Sequence, residues 1–469
     1  KIGGLLGRRR AFAIGCVVYG CGSFTTSIAP NLGVLIFGWS FLEGIGAVLI
    51  MPAIVALVAS NFEARQRPRA YGLVAAAGAM AVAVGPLVGG LVTTYFSWRW
   101  VFAGEVVIVA AILVLARRIA DAPPTERQRL DLVGTVLSAA GLGMIVFGVL
   151  RSSTWGWLQV KPGAPSLFGV SATIWLILAG GVVLFCFLAW ERRIVKHHRE
   201  PLVVPGILEN LQLRGGLVIF FFQFLLQAGL FFVVPLFLSV ALGLSALATG
   251  ARLLPLSITL LMAAAGIPRV WPRANPRRVV QVGLLALFGG IVSLLALLDL
   301  NAGAGITTVP MLLAGLGIGA LASQLGAVTV SALPDERSPE VGGLQNTFTN
   351  LGASLGTALA GSVLVAALTA SFLHGIAQNP AVPKSVVDQA NVSLAAGAPF
   401  VSDAQLTTAL DQAGVPAETS TAIVDENEKA RIAALRSSLA ILAIIAVVSL
   451  FFSRRIPTRQ PGDDPAQAP

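Results

Sequence analysis

Apolar residues in this chain do not alternate with polar ones; they run on. Twelve stretches carry almost no charge: 11–29, 32–60, 71–93, 98–116, 130–150, 170–190, 215–241, 247–266, 279–298, 307–330, 341–370 and 437–452. Most reach the ~20 residues that a helix needs to cross a hydrocarbon layer of about 30 Å. The last is short. The pattern predicts twelve membrane-spanning helices joined by polar turns. Two connections break the rhythm. Residues 191–214 form a charged segment that reads as a linker between two halves. Residues 371–436 form a long loop carrying Asp403, Asp411, Asp425, Glu426 and Glu428. Within it, Ser402 precedes an amphipathic stretch to Ala413, which predicts a short helix capped by the Ser402 hydroxyl. The tail PTRQPGDDPAQAP predicts disorder.

Composition fixes the solvent. Charged residues make up 12% of the 469 residues, apolar ones 56%, against roughly 25% charged in a soluble domain. Mean hydropathy is +0.83. So few charges cannot cover a soluble protein of this size, so the chain belongs in a bilayer. Lys and Arg are divided unequally between the connections. Of the 32, 24 fall in one set of alternate segments, 7 in the other, and Arg252 falls inside a span. The positive-inside rule then puts both ends of the chain in the cytoplasm of a multi-pass plasma-membrane protein. The same arginines account for most of the net charge of +10. They are spread over every inner loop, so a nucleic-acid partner is not implied. Cys16, Cys21 and Cys186 have no metal-ligand spacing, and His197, His198 and His374 lie between the apolar runs. No metal site or cofactor is expected. The loops hold no His-Asp, Cys-His or paired-carboxylate cluster, so an embedded enzyme is not expected.

Five motifs then narrow the class. LGRRR ends at Arg10 before the first run, with Gly7, Arg8, Arg9 and Arg10. FLEGIGAVLIMPA spans 41–53. VGPLVGG spans 84–90, with Gly85, Pro86, Gly89 and Gly90. LGLSALATGARLLPLS and GGLQNTFTNLGASLGTALAG lie at 242–257 and 342–361. Together they resemble the major facilitator superfamily, and within it the fourteen-span drug:proton antiporters. LGRRR is similar to the end of the inner loop between that family's second and third spans, with Gly4 where the family has Asp. In the 41–53 stretch Ser40 replaces the family's Arg and Glu43 its Gln. VGPLVGG is similar to the fifth-span motif associated with exporters. The resemblance implies a chain whose first two spans are missing, with the runs 130–150 and 170–190 as the extra central pair. A native twelve-span protein is the alternative.

The resemblance implies an all-helical major facilitator fold of two bundles with two extra central spans. Its parts are an N-terminal bundle over 1–118, an inner loop and two central spans over 119–190, and a cytoplasmic linker over 191–214. The first five spans of a C-terminal bundle follow over 215–370. Then come an extracytoplasmic loop over 371–436, a last span over 437–452 and a cytoplasmic tail over 453–469. The function implied is secondary active efflux of amphiphilic small molecules or drugs, by a monomer in the lipid bilayer, with the proton as coupling ion. The alternatives are a transporter of one metabolite on the same fold, or an inactive truncated remnant.

Residue chemistry supplies candidates. Glu43 lies mid-span beside Ser40, Gly44 and Ala47. An ionised side chain there costs on the order of 3 kcal/mol, and a group that loads and releases a proton is what coupling requires. Glu105, two turns into its span, is either a second proton site or the ion-pair partner of Arg252. Phe220, Phe224, Gln227 and Phe231 recur at i, i+4, i+7 and i+11 on one helical face, with Gln223 beside it. Asn346 and Asn350 form an i, i+4 amide pair. Aromatics with a few amides suit a large amphiphilic ligand; packing between helices is the other reading. Gly85 and Gly89 share a face beside Pro86, with Gly90 widening it, and form a seam that lets another backbone approach closely.

Overall fold

The computed structural model describes residues 7–61, 67–119, 131–197, 201–300, 302–333, 338–395 and 397–458. The Gly4 position, the 62–66 and 120–130 connections and most of the tail lie outside the described residues. Each apolar run is a helix. In chain order these are α1 (Arg8–Ser27), α2 (32–61), α3 (Arg67–Tyr95), α4 (Arg99–Ala116), α5 (Leu132–Trp155) and α6 (Ala172–Lys196). They continue with α7 (Leu211–Leu236), α8 (Ala246–Val270), α9 (Pro276–Leu297), α10 (Thr308–Val330) and α11 (Ser338–Gln378). Two short helices, α12 (Lys384–Ser393) and α13 (Asp403–Gln412), precede α14 (Ala417–Phe452). A two-residue hairpin ladder, Ser166–Leu167 with Val170–Ser171, is the only sheet among the described residues.

The helices start where polar side chains can satisfy free backbone N–H groups. Asn31, Asp131, Ser171, Asn210, Ser245 and Asn275 each accept such a bond at the start of α2, α5, α6, α7, α8 and α9. The expected helix after Ser402 is present, closed by a reciprocal bond pair between Ser402 and Gln405. The short final run is the second half of a longer helix. The first half of α14 carries Asp425, Glu426, Lys429 and Arg431 beyond the apolar zone, which is why hydropathy alone cut it short. There α12, α13 and the start of α14 form a small cap. Its anchor is Arg431, 1% exposed, whose guanidinium donates to both Asp403 oxygens at 2.6 Å and to the Val401 carbonyl at 2.9 Å.

Packing follows the solvent. Large apolar side chains point outward from the helices: Val107, Phe185, Val282 and Phe451 are all more than 60% exposed. An apolar exterior around packed helices is what hydrocarbon surroundings select. The buried core lies mainly among α7–α11 and α14, with Leu226, Leu256, Leu287, Met311, Leu364 and Leu442 all closed off from solvent. Small residues let these backbones touch: a Cβ at Gly356 would strike the Leu225 carbonyl carbon at 2.8 Å. In the first part of the chain α1 packs on α2 and α4, while α3 leans chiefly on α8. The central pair α5 and α6 form a hairpin, bound to α11 by a Ser152–Ser362 hydroxyl bond of 2.8 Å.

Candidate functional site

Glu43 ends an eight-residue π-helical segment, Ile36–Glu43, inside α2. Such wide turns are uncommon and cluster at functional positions because they shift a side chain out of helical register. Here the shift turns Glu43 into the α1 interface. Gly22 and Gly38 make room for it. A Cβ at Gly22 would stand 2.7 Å from Glu43 Cγ and 2.7 Å from the Gly38 carbonyl. Glu43 is 5% exposed.

Ser23 bridges two carboxyls. Its hydroxyl lies 2.9 Å from Glu43 Oε1 and 3.0 Å from Glu105 Oε2, which reaches in from α4. The Tyr19 hydroxyl faces the same pair, one turn along α1. Glu105 is half-buried and Glu43 is buried. A serine hydroxyl carries one proton. It donates to one carboxylate; its oxygen then accepts from the other only if that carboxyl is protonated. Two membrane-embedded carboxyls from α2 and α4 thus share one hydroxyl on α1. A groove of about 440 Å³, lined by Val17, Cys21, Phe24, Val106, Val109 and Leu113, opens between α1 and α4 beside this cluster.

Among the described residues Glu105 does not pair with Arg252, as one expectation held. Glu105 is engaged by Ser23, and Arg252 is exposed on α8. Asn346 and Asn350 lie one turn apart on α11, where Asn350 Nδ2 donates to the Asn346 backbone carbonyl at 2.8 Å. On α7, Phe220, Phe224, Gln227 and Phe231 are all half-buried. Phe220 and Phe231 pack against apolar clusters. Gln223 is 3% exposed, and its Oε1 has no hydrogen-bond partner among the described residues.

The VGPLVGG seam exists, one residue out of phase with expectation. A Cβ at Gly85 or Gly89 would meet nothing within 4 Å. The face that touches α8 holds Pro86 and Gly90. A Cβ at Gly90 would meet the Ala246 carbonyl and stand 2.9 Å from Leu247 Cα; one at Gly250 would meet the Pro86 carbonyl, whose carbon lies 2.8 Å away. Thr94 Oγ1 accepts the Leu247 N–H at 2.9 Å and closes the same end. At the opposite end of the chain's helices, the Gly7–Arg10 motif opens α1. Arg9 donates to the carbonyls of Arg117 and Ile119 just beyond α4, where a cation complements the free carbonyls of a helix end.

The sequence profile of the Major Facilitator Superfamily matches residues 1–357. The chain belongs to the Major Facilitator Superfamily. Its fold is almost entirely helical, and it is an integral membrane transporter, not an enzyme. Puromycin resistance protein pur8 of Streptomyces alboniger is 30% identical over 388 residues, 81% of this chain and 73% of that protein. The tetracenomycin C resistance and export protein of Streptomyces glaucescens is 28% identical over 372 residues, 78% of this chain and 65% of that protein. Among solved structures, a peptide transporter POT in complex with sulfate superposes with a TM-score of 0.56 at 14% identity. That match covers 96% of this chain and 82% of the other, and it speaks to the fold alone.

Two residues of the acid cluster in this superfamily member were not singled out from sequence. Tyr19, Ser23 and Thr26 recur at i, i+4 and i+7, a polar stripe on an otherwise apolar helix. That period was the available signal.

Proposed function

We propose that this chain exports amphiphilic small molecules in exchange for protons by alternating access. The observation that carries the reading is the Glu43–Ser23–Glu105 bridge: two membrane-embedded carboxyls around one hydroxyl, with no described cation to neutralise them. The relatives named for resistance to, or export of, toxic compounds support an outward direction. Two helix bundles rocking around a midplane site give the cycle. A pH gradient supplies about 1.4 kcal/mol per unit per proton, and the membrane potential about 2.3 kcal/mol per charge per 100 mV. Gln223, buried and with an amide oxygen to spare, and the Phe224–Gln227 face of α7 are the substrate-facing groups in this reading. Two relatives are named for single compounds, puromycin and tetracenomycin C, which favours a narrow substrate range as the second reading, whereas another, of Mycobacterium tuberculosis, is named a multidrug resistance protein.

The test is uptake of aromatic antibiotics into inside-out vesicles under an imposed pH gradient, with the intact protein. Accumulation that follows the gradient supports antiport. Accumulation indifferent to the gradient and abolished only by removing ATP would end it.

The fourteen-span assignment and the orientation belong to the same reading. The 24-to-7 bias of Lys and Arg between alternate segments supports an orientation with the 191–214 linker inside and the cap outside. In a Cys-free background, an impermeant thiol reagent applied to intact cells should modify Lys384→Cys and spare Lys196→Cys, both exposed positions. The reverse pattern would invert the topology.

A further inference from the structure

The loop joining α5 to α6 is firmly held, yet it turns large apolar side chains outward. Ser171, fully buried, is its hub. Its N–H donates to the Leu158 carbonyl at 3.0 Å, its hydroxyl donates to the Gly156 carbonyl at 2.8 Å, and its oxygen accepts the Thr173 N–H at the start of α6. Lys161 Nζ donates to the Ser153 carbonyl at 2.8 Å and ties the loop to the end of α5. On this frame Trp157, Leu158, Leu167 and Phe168 are exposed.

Phe168 stands furthest out, 85% exposed at the tip of the two-stranded ladder. Its φ is +54° and that of Gly169 is +73°. Hairpin turns with positive φ at both central positions favour Asn-Gly, and a bulky residue there is strained. Neither turn geometry nor core packing therefore selects a phenylalanine. Its ring meets Trp175 edge-on, with centroids 6.0 Å apart, and the Trp175 indole N–H donates to the Leu167 carbonyl at 3.1 Å. Trp175 in turn heads an exposed face of α6: Trp175, Leu178, Val182 and Phe185 recur at i, i+3, i+7 and i+10. That face is part of the apolar exterior that hydrocarbon surroundings select. The hairpin prolongs this lipid-facing stripe beyond the end of the helix.

Charge points the same way. Residues 151–175 carry Arg151 and Lys161 and no acid. Arg151 is exposed, with Cζ 5.4 Å from the Phe147 ring centroid and 5.5 Å from that of Trp155. Among the described residues no carboxylate pairs with it. An exposed guanidinium backed by aromatic rings at the end of a spanning helix suits a phosphate oxygen.

We propose that the 156–171 loop lies in the headgroup layer of the bilayer, with Leu167, Phe168 and Trp175 seated at the top of the acyl chains and Arg151 paired with phospholipid phosphate. Aromatic residues concentrate at that depth because one end of the side chain is apolar and the other meets water. The anchor sets the depth of the α5–α6 hairpin, which Ser152 ties to α11. It does not depend on which carboxyl couples transport or on which leaflet the loop meets.

The experiment places an environment-sensitive fluorophore on Ser166→Cys, an exposed position beside the tip, in the intact protein with Cys16, Cys21 and Cys186 replaced. The protein is held in phosphatidylcholine nanodiscs with and without phosphatidylglycerol. The same fluorophore on Lys384→Cys, exposed on the cap, is the aqueous reference. Iodide should quench the Ser166 probe several-fold less than the reference, and lipids spin-labelled near the top of the acyl chain should quench it several-fold more. Phe168→Asn puts a favoured residue in the turn, so the hairpin stays formed while its apolar tip is lost. Iodide quenching should then rise toward the reference and lipid quenching should fall. Arg151→Glu should act in the same direction, and more strongly with phosphatidylglycerol present. Iodide quenching equal to the reference in the native loop would show a tip standing in water and overturn the proposal. So would protection from iodide without quenching by lipid, which means that protein covers the tip, and so would a Phe168→Asn that leaves both quenchers unchanged. An Arg151→Glu effect indifferent to lipid charge overturns the phosphate contact.

Discussion

Glu43→Gln is expected to abolish pH-driven accumulation while leaving substrate binding intact. The substitution keeps the side chain's size, its seat against Gly22 and its bond to Ser23; only the exchangeable proton is gone. One coupled proton under a gradient of about two pH units sustains a concentration ratio of up to roughly 100-fold, since each unit is a factor of ten. The mutant should fall to a ratio of about one, still exchanging substrate across the membrane in both directions. Glu43→Asp keeps the titrating group at shorter reach and should retain partial activity with altered pH dependence. Glu105→Gln belongs in the same experiment. Half-buried and one hydroxyl away, it reads as the port through which Glu43 meets water, so its loss should slow coupling more than it lowers the final ratio. Full gradient-driven accumulation by Glu43→Gln would remove Glu43 from the mechanism. A collapse confined to Glu105→Gln would move the proton site to α4.

Much of the fold was legible because the bilayer makes hydropathy decisive. A soluble helix must earn its place by an amphipathic stripe, whereas a spanning helix needs only length and low charge, and all twelve runs became helices. Ser402 announced its helix by side-chain chemistry that is local in sequence. What escaped was the azimuth of each helix. Gly85 and Gly89 share a face, and so do Pro86 and Gly90, one residue or about 100° around. Nothing in the apolar string says which face meets a neighbour, because lipid is as acceptable as protein to Val84 or Val88. The π-helical segment in α2 was hidden for the same reason: it changes register without changing composition. The Glu105–Arg252 pairing failed because charge complementarity was used where proximity was unknown; the serine that engages Glu105 lies on another helix, 82 residues away.

The corrected phase makes its own prediction. Pro86 and Gly90 on α3 oppose Gly250 and Ala246 on α8, two antiparallel i, i+4 pairs whose backbones touch. Gly90→Leu or Gly250→Leu forces a side chain into a carbonyl that cannot retreat without moving its helix. Overpacking of this kind costs about 1–3 kcal/mol, which shifts the balance between closed and open seam by roughly 5- to 150-fold. Transport that depends on closing this end should fall by a similar factor. Gly89→Leu, with open space beyond its Cα, should transport normally at equal expression, as should Gly85→Leu. Spin labels at Phe96 and Gly243, on the two connections flanking the seam, give an independent reading of the gap. The distance distribution should move to longer values in Gly90→Leu and Gly250→Leu and stay put in Gly89→Leu. The Thr94–Leu247 bond lies at the same end, so Thr94→Val should add a smaller shift in the same direction, about the 0.5–1.5 kcal/mol of one hydrogen bond. Normal transport and an unmoved distance in a well-expressed Gly90→Leu would mean that the seam yields to a side chain without consequence, and that closure at this end is held elsewhere.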